Sequence, residues 1–179
     1  MLKLIRPSVQ YHAQYKDMMD EWYQDGSQIA PWVLELPYKS ELEFQALVAR
    51  LEEVERGENI TGFAPSSTYW LYDEERNILL GAGNLRHVLV GESGNLWGHI
   101  GYGIRPSERR KGYASFLLNF LLEKAFEHGL NEVLLAAWSD NIGSWKTMEH
   151  CGAVFQKELL DKENGNIVRQ YFIKTKSSR

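Results

Sequence analysis

The sequence holds a single cysteine, Cys151, so no intrachain disulfide can form and a structural zinc site built on several thiolates is excluded. Long hydrophobic runs are absent. The longest unbroken apolar stretch, Val133–Trp138, is strand-sized and falls well short of the roughly 18 residues that span a bilayer. There is no internal repeat and no low-complexity tract. The N-terminus lacks the pattern of a secretory signal, because Arg6 and Pro7 interrupt it and Tyr11–Tyr23 is polar and charged. These absences lead to the expectation of a soluble, cytoplasmic protein with no membrane partner. A basic excess is missing as well: 20 Lys and Arg stand against 24 Asp and Glu, a net charge of −4, which argues against general nucleic-acid binding and mildly favours cationic substrates.

What is present is ordinary for a globular chain. Hydrophobic residues make up 44% and charged residues 25% of 179 positions, proportions that exclude wholesale disorder and suit one domain over 1–179. A short strand is expected at Leu2–Arg6, then a helix over Val9–Gln24 capped by Ser8 and stopped by Gly26. A loop with aromatic content follows at 25–39. Ser40 and Glu43 have capping-box spacing and open a second helix with Leu42, Leu47, Val48 and Leu51 on its apolar face. Three strands, Thr68–Tyr72, Ile78–Val90 and Leu96–Ile104, read as an antiparallel meander, with a turn at Gly91–Asn95.

The period then becomes helical. Phe116, Leu117, Phe120, Leu121 and Ala125 mark an amphipathic helix from Gly112 to about His128. The continuous apolar run Val133–Trp138 suits a central strand covered on both faces. A short helix over Asn141–His150 and two last strands, at Val154-Phe155 and Val168–Ile173, complete the chain before a polar end at 174–179.

One segment carries chemistry: Gly101-Tyr102-Gly103-Ile104-Arg105-Pro106-Ser107-Glu108-Arg109-Arg110-Lys111-Gly112-Tyr113-Ala114. A strand ends, a basic loop follows and a helix opens at a glycine. The first turn of a helix has unpaired N–H groups and the positive end of the helix dipole, which suits a phosphate or pyrophosphate. The Walker and dinucleotide-binding glycine patterns are both missing here. Read alone, the segment is either an anion cradle or a solvated basic loop before a helix.

Arg109-x-x-Gly112-x-Ala114 resembles the acyl-coenzyme-A signature of the GNAT superfamily of N-acetyltransferases. It follows a strand ending Ile104-Arg105-Pro106 and opens a long amphipathic helix. About thirty residues on, Trp138-Ser139-Asp140-Asn141-Ile142-Gly143-Ser144 is similar to that family's second cofactor motif, although Gly152-Ala153 has no aromatic after the glycine. Gly98-His99-Ile100-Gly101-Tyr102 looks like the branch that contains ribosomal-protein and drug acetyltransferases.

The resemblance implies an α/β (α+β) fold. Its mixed, mostly antiparallel sheet has six or seven strands, splayed at the centre and flanked by about four helices. Acceptor-side helices lie at 8–57 and a coenzyme-binding core at 68–155. It implies direct transfer of an acetyl group from acetyl-coenzyme A, with no metal, to a primary amine of a small molecule or peptide. The enzyme would be a monomer or homodimer. It places the coenzyme on Ile104, Arg105, Arg109, Arg110, Lys111, Gly112, Tyr113, Ala114, Asn141 and Ser144. The tyrosine that protonates the departing thiolate in many relatives falls on Met148, which cannot donate. Tyr102 is a candidate for that role, and its backbone or that of Gly103 for holding the oxyanion. His99, with an ordinary pKa near 6.5, is either the general base or a strand histidine on the other face. Trp32, Glu35 and Tyr38 could wall a site for an alkylammonium or could pack the domain. The missing tyrosine also leaves room for a non-catalytic acyl-coenzyme-A-binding regulatory module, and the Arg109–Ala114 helix start for a phosphate-binding protein of another fold.

Overall fold

The computed structural model describes residues 1–175, so the polar end at 176–179 lies outside the described residues. Seven strands form one sheet in the order β1-β2-β3-β4-β5-β7-β6, where β1 is Leu2–Ile5, β2 Ser66–Asp73, β3 Ile78–Arg86, β4 Ile100–Ile104, β5 Glu132–Trp138, β6 Val154–Leu160 and β7 Ile167–Lys174. Every neighbouring pair is antiparallel except β4–β5. That parallel pair has a single register match, Ile100↔Leu135, whereas β5 pairs with β7 from Glu132↔Lys174 to Trp138↔Val168. The sheet is therefore splayed where β4 and β5 diverge, as the resemblance implied.

Five α-helices cover it: α1 His12–Asp25, α2 Glu41–Arg56, α3 Gly91–Trp97, α4 Tyr113–Glu127 and α5 Ile142–His150. In α1 the buried residues Tyr15, Met18, Met19 and Trp22 recur at helical spacing and pack with Phe44, Leu47 and Leu51 of α2 against Trp70, Leu79 and Ala82. On the other face Leu117, Leu118, Leu121 and Ala125 of α4 pack with Met148 of α5 against Leu80, Ile100, Leu135 and Tyr171. The capping box of α2 is formed: Glu43 N–H donates to Ser40 Oγ at 3.2 Å and Ser40 N–H to Glu43 Oε2 at 2.9 Å.

Four local expectations are corrected. Ser8 makes no side-chain cap; Val9–Tyr11 is a 3-10 turn and α1 starts at His12. Leu42 is 77% exposed, and Phe44 takes its place on the buried face of α2. The region read as turn plus strand at 91–99 contains the helix α3, so β3 ends at Arg86 and β4 begins at Ile100. The reason is tertiary. Gln170 Nε2 on β7 donates to the carbonyls of Asn95 and Leu96 at 2.7 and 2.9 Å, satisfying two carbonyls that the Gly98 cap, bonded to Gly94 O, does not reach, and Trp97 sits edge-on to Trp138. The helices around the sheet thus number five among the described residues, rather than about four.

Candidate active site

The divergence of β4 and β5 exposes backbone that a regular sheet would pair. Arg105 N–H donates to Leu80 O at 2.9 Å, so the odd-numbered residues of β4 bond to β3. By the alternation of an antiparallel ladder, the peptide groups of Ile100, Tyr102 and Ile104 turn toward β5. The β4–β5 ladder stops at Ile100↔Leu135, so the Tyr102 N–H faces the gap with no strand partner. Arg109 Nε covers the Ile104 carbonyl at 3.1 Å.

Two cavities meet at this gap. One, of about 840 Å³, runs from Tyr102–Ile104 past Arg109, Arg110, Gly112 and Ala114 to Asn141 and Ser144. The other, of about 780 Å³, lies between the loop Gln28–Val33, α2, α3 and the strands. They share Gln28, Ala30, Tyr102, Trp138, Asn141 and Ser144. The loop that separates them rests directly on β4. A side chain at Gly103 would bring a Cβ within 2.2 Å of Ala30 O and 2.9 Å of the Trp22 ring, and one at Gly101 within 3.3 Å of Pro31. The alternation Gly-Tyr-Gly in β4 therefore has a steric meaning. The glycines admit the loop on one face and Tyr102 fills the other.

The first cavity has the features of an anion cradle. Arg110 has φ +61° and Gly112 φ +84°, both left-handed, and this succession turns backbone N–H groups inward ahead of α4. A non-glycine residue held there is a local strain that the surrounding loop must maintain. The Gly112 cap leaves the first N–H groups of α4 facing this cavity, and Ala114 and Ser115 line it. Asn141 caps α5, accepting from Ser144 N–H at 3.2 Å.

Several of the predicted coenzyme residues have side chains that the protein itself holds. Arg105 is buried, bonded to Glu21 at 2.6 Å and to Leu79 O at 3.3 Å, and fastens α1 to the loop after β4. Arg109 lines the cavity, yet its guanidinium is held by Ser27 at 2.7 Å and Asp25 at 3.4 Å. Lys111 pairs with Glu108 at 3.1 Å, and the Tyr113 hydroxyl accepts from Arg76 at 3.3 Å; neither residue lines either of these two cavities. The residues the structure brings to the cleft are Ile104, Arg109, Arg110, Gly112, Ala114, Asn141 and Ser144.

The Tyr102 hydroxyl donates to Ser144 O at 3.1 Å, and burial pushes its pKa up. Met148 is 1% exposed and belongs to the core, so a donor at that place would need the core rebuilt. His99 is not brought to the cleft. Its Nδ1 accepts from Leu134 N–H at 2.9 Å, joining the starts of β4 and β5, and burial lowers its pKa. Among the predicted acceptor residues Trp32 lines the second cavity. Glu35 does not, and Tyr38 is buried beside Tyr15 with its hydroxyl on Asp20 at 3.2 Å. Sequence reasoning did not foresee Phe63, Arg86 and Trp97 of that cavity, because no local pattern links positions so far apart in the chain. Among the described residues no cluster of His, Cys, Asp and Glu could hold a metal ion, and no helix is long and apolar enough to cross a membrane.

The acetyltransferase (GNAT) family model matches residues 12–153. Comparison with curated protein sequences gives no match. Among solved structures, the chain is similar to the microcin C7 self-immunity acetyltransferase MccE in complex with acetyl-CoA and AMP, with TM-score 0.69 and 15% identity over 97% of this chain and 92% of that one. The Salmonella typhimurium acetyltransferase that modifies the N-terminal serine of a 50S ribosomal subunit protein gives 0.68 and 17% over 98% and 95%. A variant of the Vibrio cholerae spermidine N-acetyltransferase SpeG gives 0.61 and 18% over 97% and 94%. At these identities the likeness is one of fold.

Proposed function

The chain belongs to the acetyltransferase (GNAT) family, and from that premise we propose that it moves the acetyl group of acetyl-coenzyme A directly to a primary amine of a small molecule or peptide, in the gap between β4 and β5. The observation that carries this reading is the meeting of two cavities at Tyr102, where one backbone N–H has no strand partner. One cavity fits the coenzyme and the other an acceptor, so the two reactants approach the same atoms from different sides.

The residues present fit the coenzyme. The N–H groups at the start of α4 and the Arg110–Gly112 turn would take its pyrophosphate, and Asn141 and Ser144 would flank the arm that reaches the gap. The acetyl carbonyl would accept from Tyr102 N–H. The amine nitrogen attacks the carbonyl carbon, and the C–N bond forms as the oxygen gains charge against that N–H. The C–S bond then breaks, the electron pair leaves on sulfur, and the nitrogen loses a proton. Holding both reactants in line supplies much of the acceleration.

Tyr102 also serves the leaving group. A phenol pushed up by burial stays protonated through the working range, and once it turns from Ser144 O its O–H can hydrogen-bond the departing sulfur as charge builds there, the thiolate taking its proton from water. This partly replaces the donor missing at Met148 and favours an enzyme over a coenzyme-binding module. No Asp, Glu, Lys or His lines the acceptor cavity among the described residues, so the proton of the ammonium leaves through water. Mass spectrometry of a panel of amines, incubated with acetyl-coenzyme A and the protein, tests the reading. A product heavier by one acetyl group supports it. Coenzyme binding without any acetylated amine would favour the module.

A further inference from the structure

The acceptor cavity carries a charge pattern opposite to that of the whole chain. Its only charged lining residues among those described are Arg50 and Arg86. Arg50 is already paired, donating to Glu53 at 3.1 Å and to Asn59 O at 2.9 Å. Arg86 is different. It ends β3 opposite His99, is partly buried, and makes one side-chain hydrogen bond, Nη1 to Gly98 O at 2.8 Å. No carboxylate stands within ion-pairing distance of it among the described residues. Burial lowers its pKa, and the positive charge stays because a guanidinium does not give up its proton in this range. A partly desolvated cation with no counter-charge, its free N–H groups open to a cavity, is suited to an anion that enters there. The remaining N–H groups of Arg86 have no protein acceptor, and the residue borders a cavity whose other walls are Trp32, Phe63, Trp97, Leu51 and Val54.

We infer that the acceptor is an apolar or aromatic primary amine that also bears an anionic group, a carboxylate or a phosphoryl, which Arg86 binds at the β3 end of the cavity. This rests on the reading of that cavity as the acceptor site, and it excludes polyamines as the preferred acceptors. The guanidinium fork matches both anions by two parallel N–H donations. The aromatic walls bury the body of the substrate, and the amine is left to reach the gap at Tyr102. The acidic surface of the chain does not decide this, because the few charges facing a low-dielectric cavity outweigh distant solvated ones.

Binding of acetylated products tests the inference without requiring turnover. N-acetyltyramine, N-acetyltyrosine and N-acetyl-O-phosphotyramine share one aromatic body and differ in the anion. Calorimetry in the presence of coenzyme A should show at least one of the two anionic products binding about ten- to a hundredfold tighter than the neutral one, the range of a charge-assisted hydrogen bond. Which of them wins distinguishes a carboxylate from a phosphoryl acceptor. The preference should vanish in Arg86→Met and survive in part in Arg86→Lys, with coenzyme affinity unchanged in both. Equal binding of all three products by the unaltered protein would overturn the inference, as would a preference that persists in Arg86→Met. The mass-spectrometric result with tyramine separates the two readings. Acetylation of tyramine together with equal product binding leaves the transferase standing and removes only the anion site.

Discussion

Gly103→Ala should damage the enzyme out of proportion to one added methyl group. The new Cβ would lie 2.2 Å from Ala30 O, a backbone atom that cannot rotate away, and 2.9 Å from the Trp22 ring, which is itself 1% exposed. The loop 27–31 must lift from β4 or β4 must bend. Overpacking of this kind costs about 1–3 kcal/mol, and a backbone clash belongs in the upper half of that range. At about 2–4 °C per kcal/mol for a chain of this size, the melting temperature should drop by about 5–10 °C. The same loop separates the two cavities, so its shift moves the acceptor relative to the thioester. A displacement near 1 Å is worth about a hundredfold in rate. Thermal melting, acetyl-coenzyme A calorimetry and acceptor kinetics on one preparation measure all three effects. Gly129→Ala is the control, since its Cβ meets nothing within 4 Å, it lines neither cavity, and only the left-handed φ of +80° opposes it. If Gly103→Ala melts within about 1 °C of the parent and keeps its acceptor kcat/KM, the loop is not held by β4 and the account of the partition is wrong.

Other outcomes follow from the same geometry. Gly112→Asp puts a carboxylate and a strained side chain beside the start of α4, and calorimetry should find acetyl-coenzyme A binding abolished with the fold retained. Tyr102→Phe should lower kcat by about 10–100-fold, the worth of a hydrogen bond to a charged atom, while coenzyme affinity stays within about threefold. Because no side chain titrating near neutrality lines the acceptor cavity, kcat/KM should climb with pH toward the pKa of the amine itself; a plateau set by a group near pH 6–7 would reveal a base that the cavity does not contain. His99 is held neutral by burial while it accepts from Leu134 N–H, so its folded pKa lies below the unfolded value near 6.5. Its contribution to stability is complete above that value and is lost as pH falls from there through the folded pKa. The melting temperature should therefore fall between pH 7 and pH 5, and less steeply in His99→Gln.

The sequence is most legible where local chemistry decides. The Ser40–Glu43 capping box, the Gly112 start of α4 and the Asn141 cap of α5 all stand where their residues put them. The apolar run of β5 is central, as a run without alternation implies. Legibility fails where a distant partner decides. Helix α3 depends on Gln170 from β7 to satisfy its last carbonyls, and nothing near residue 95 announces that. Arg109 reads as charge beside a helix start, yet Asp25 at the end of α1 and Ser27 just beyond it hold its guanidinium. The acceptor cavity is least legible of all. Trp32, Phe63, Arg86 and Trp97 come from four separate segments, and Glu35 and Tyr38 share a loop with Trp32 without sharing its direction.

Residue-resolved amide hydrogen exchange at Tyr102 tests the central claim most directly. The gap between β4 and β5 leaves this N–H without a strand partner, and the acetyl carbonyl is the acceptor that fits it. Added acetyl-coenzyme A should slow its exchange strongly, together with the amides at the start of α4, while Gly101 and Gly103, already paired to β3, change little. If acetyl-coenzyme A protects the α4 amides and leaves Tyr102 exchanging as before, the coenzyme is bound but the acetyl group is not held at this gap, and transfer does not take place there.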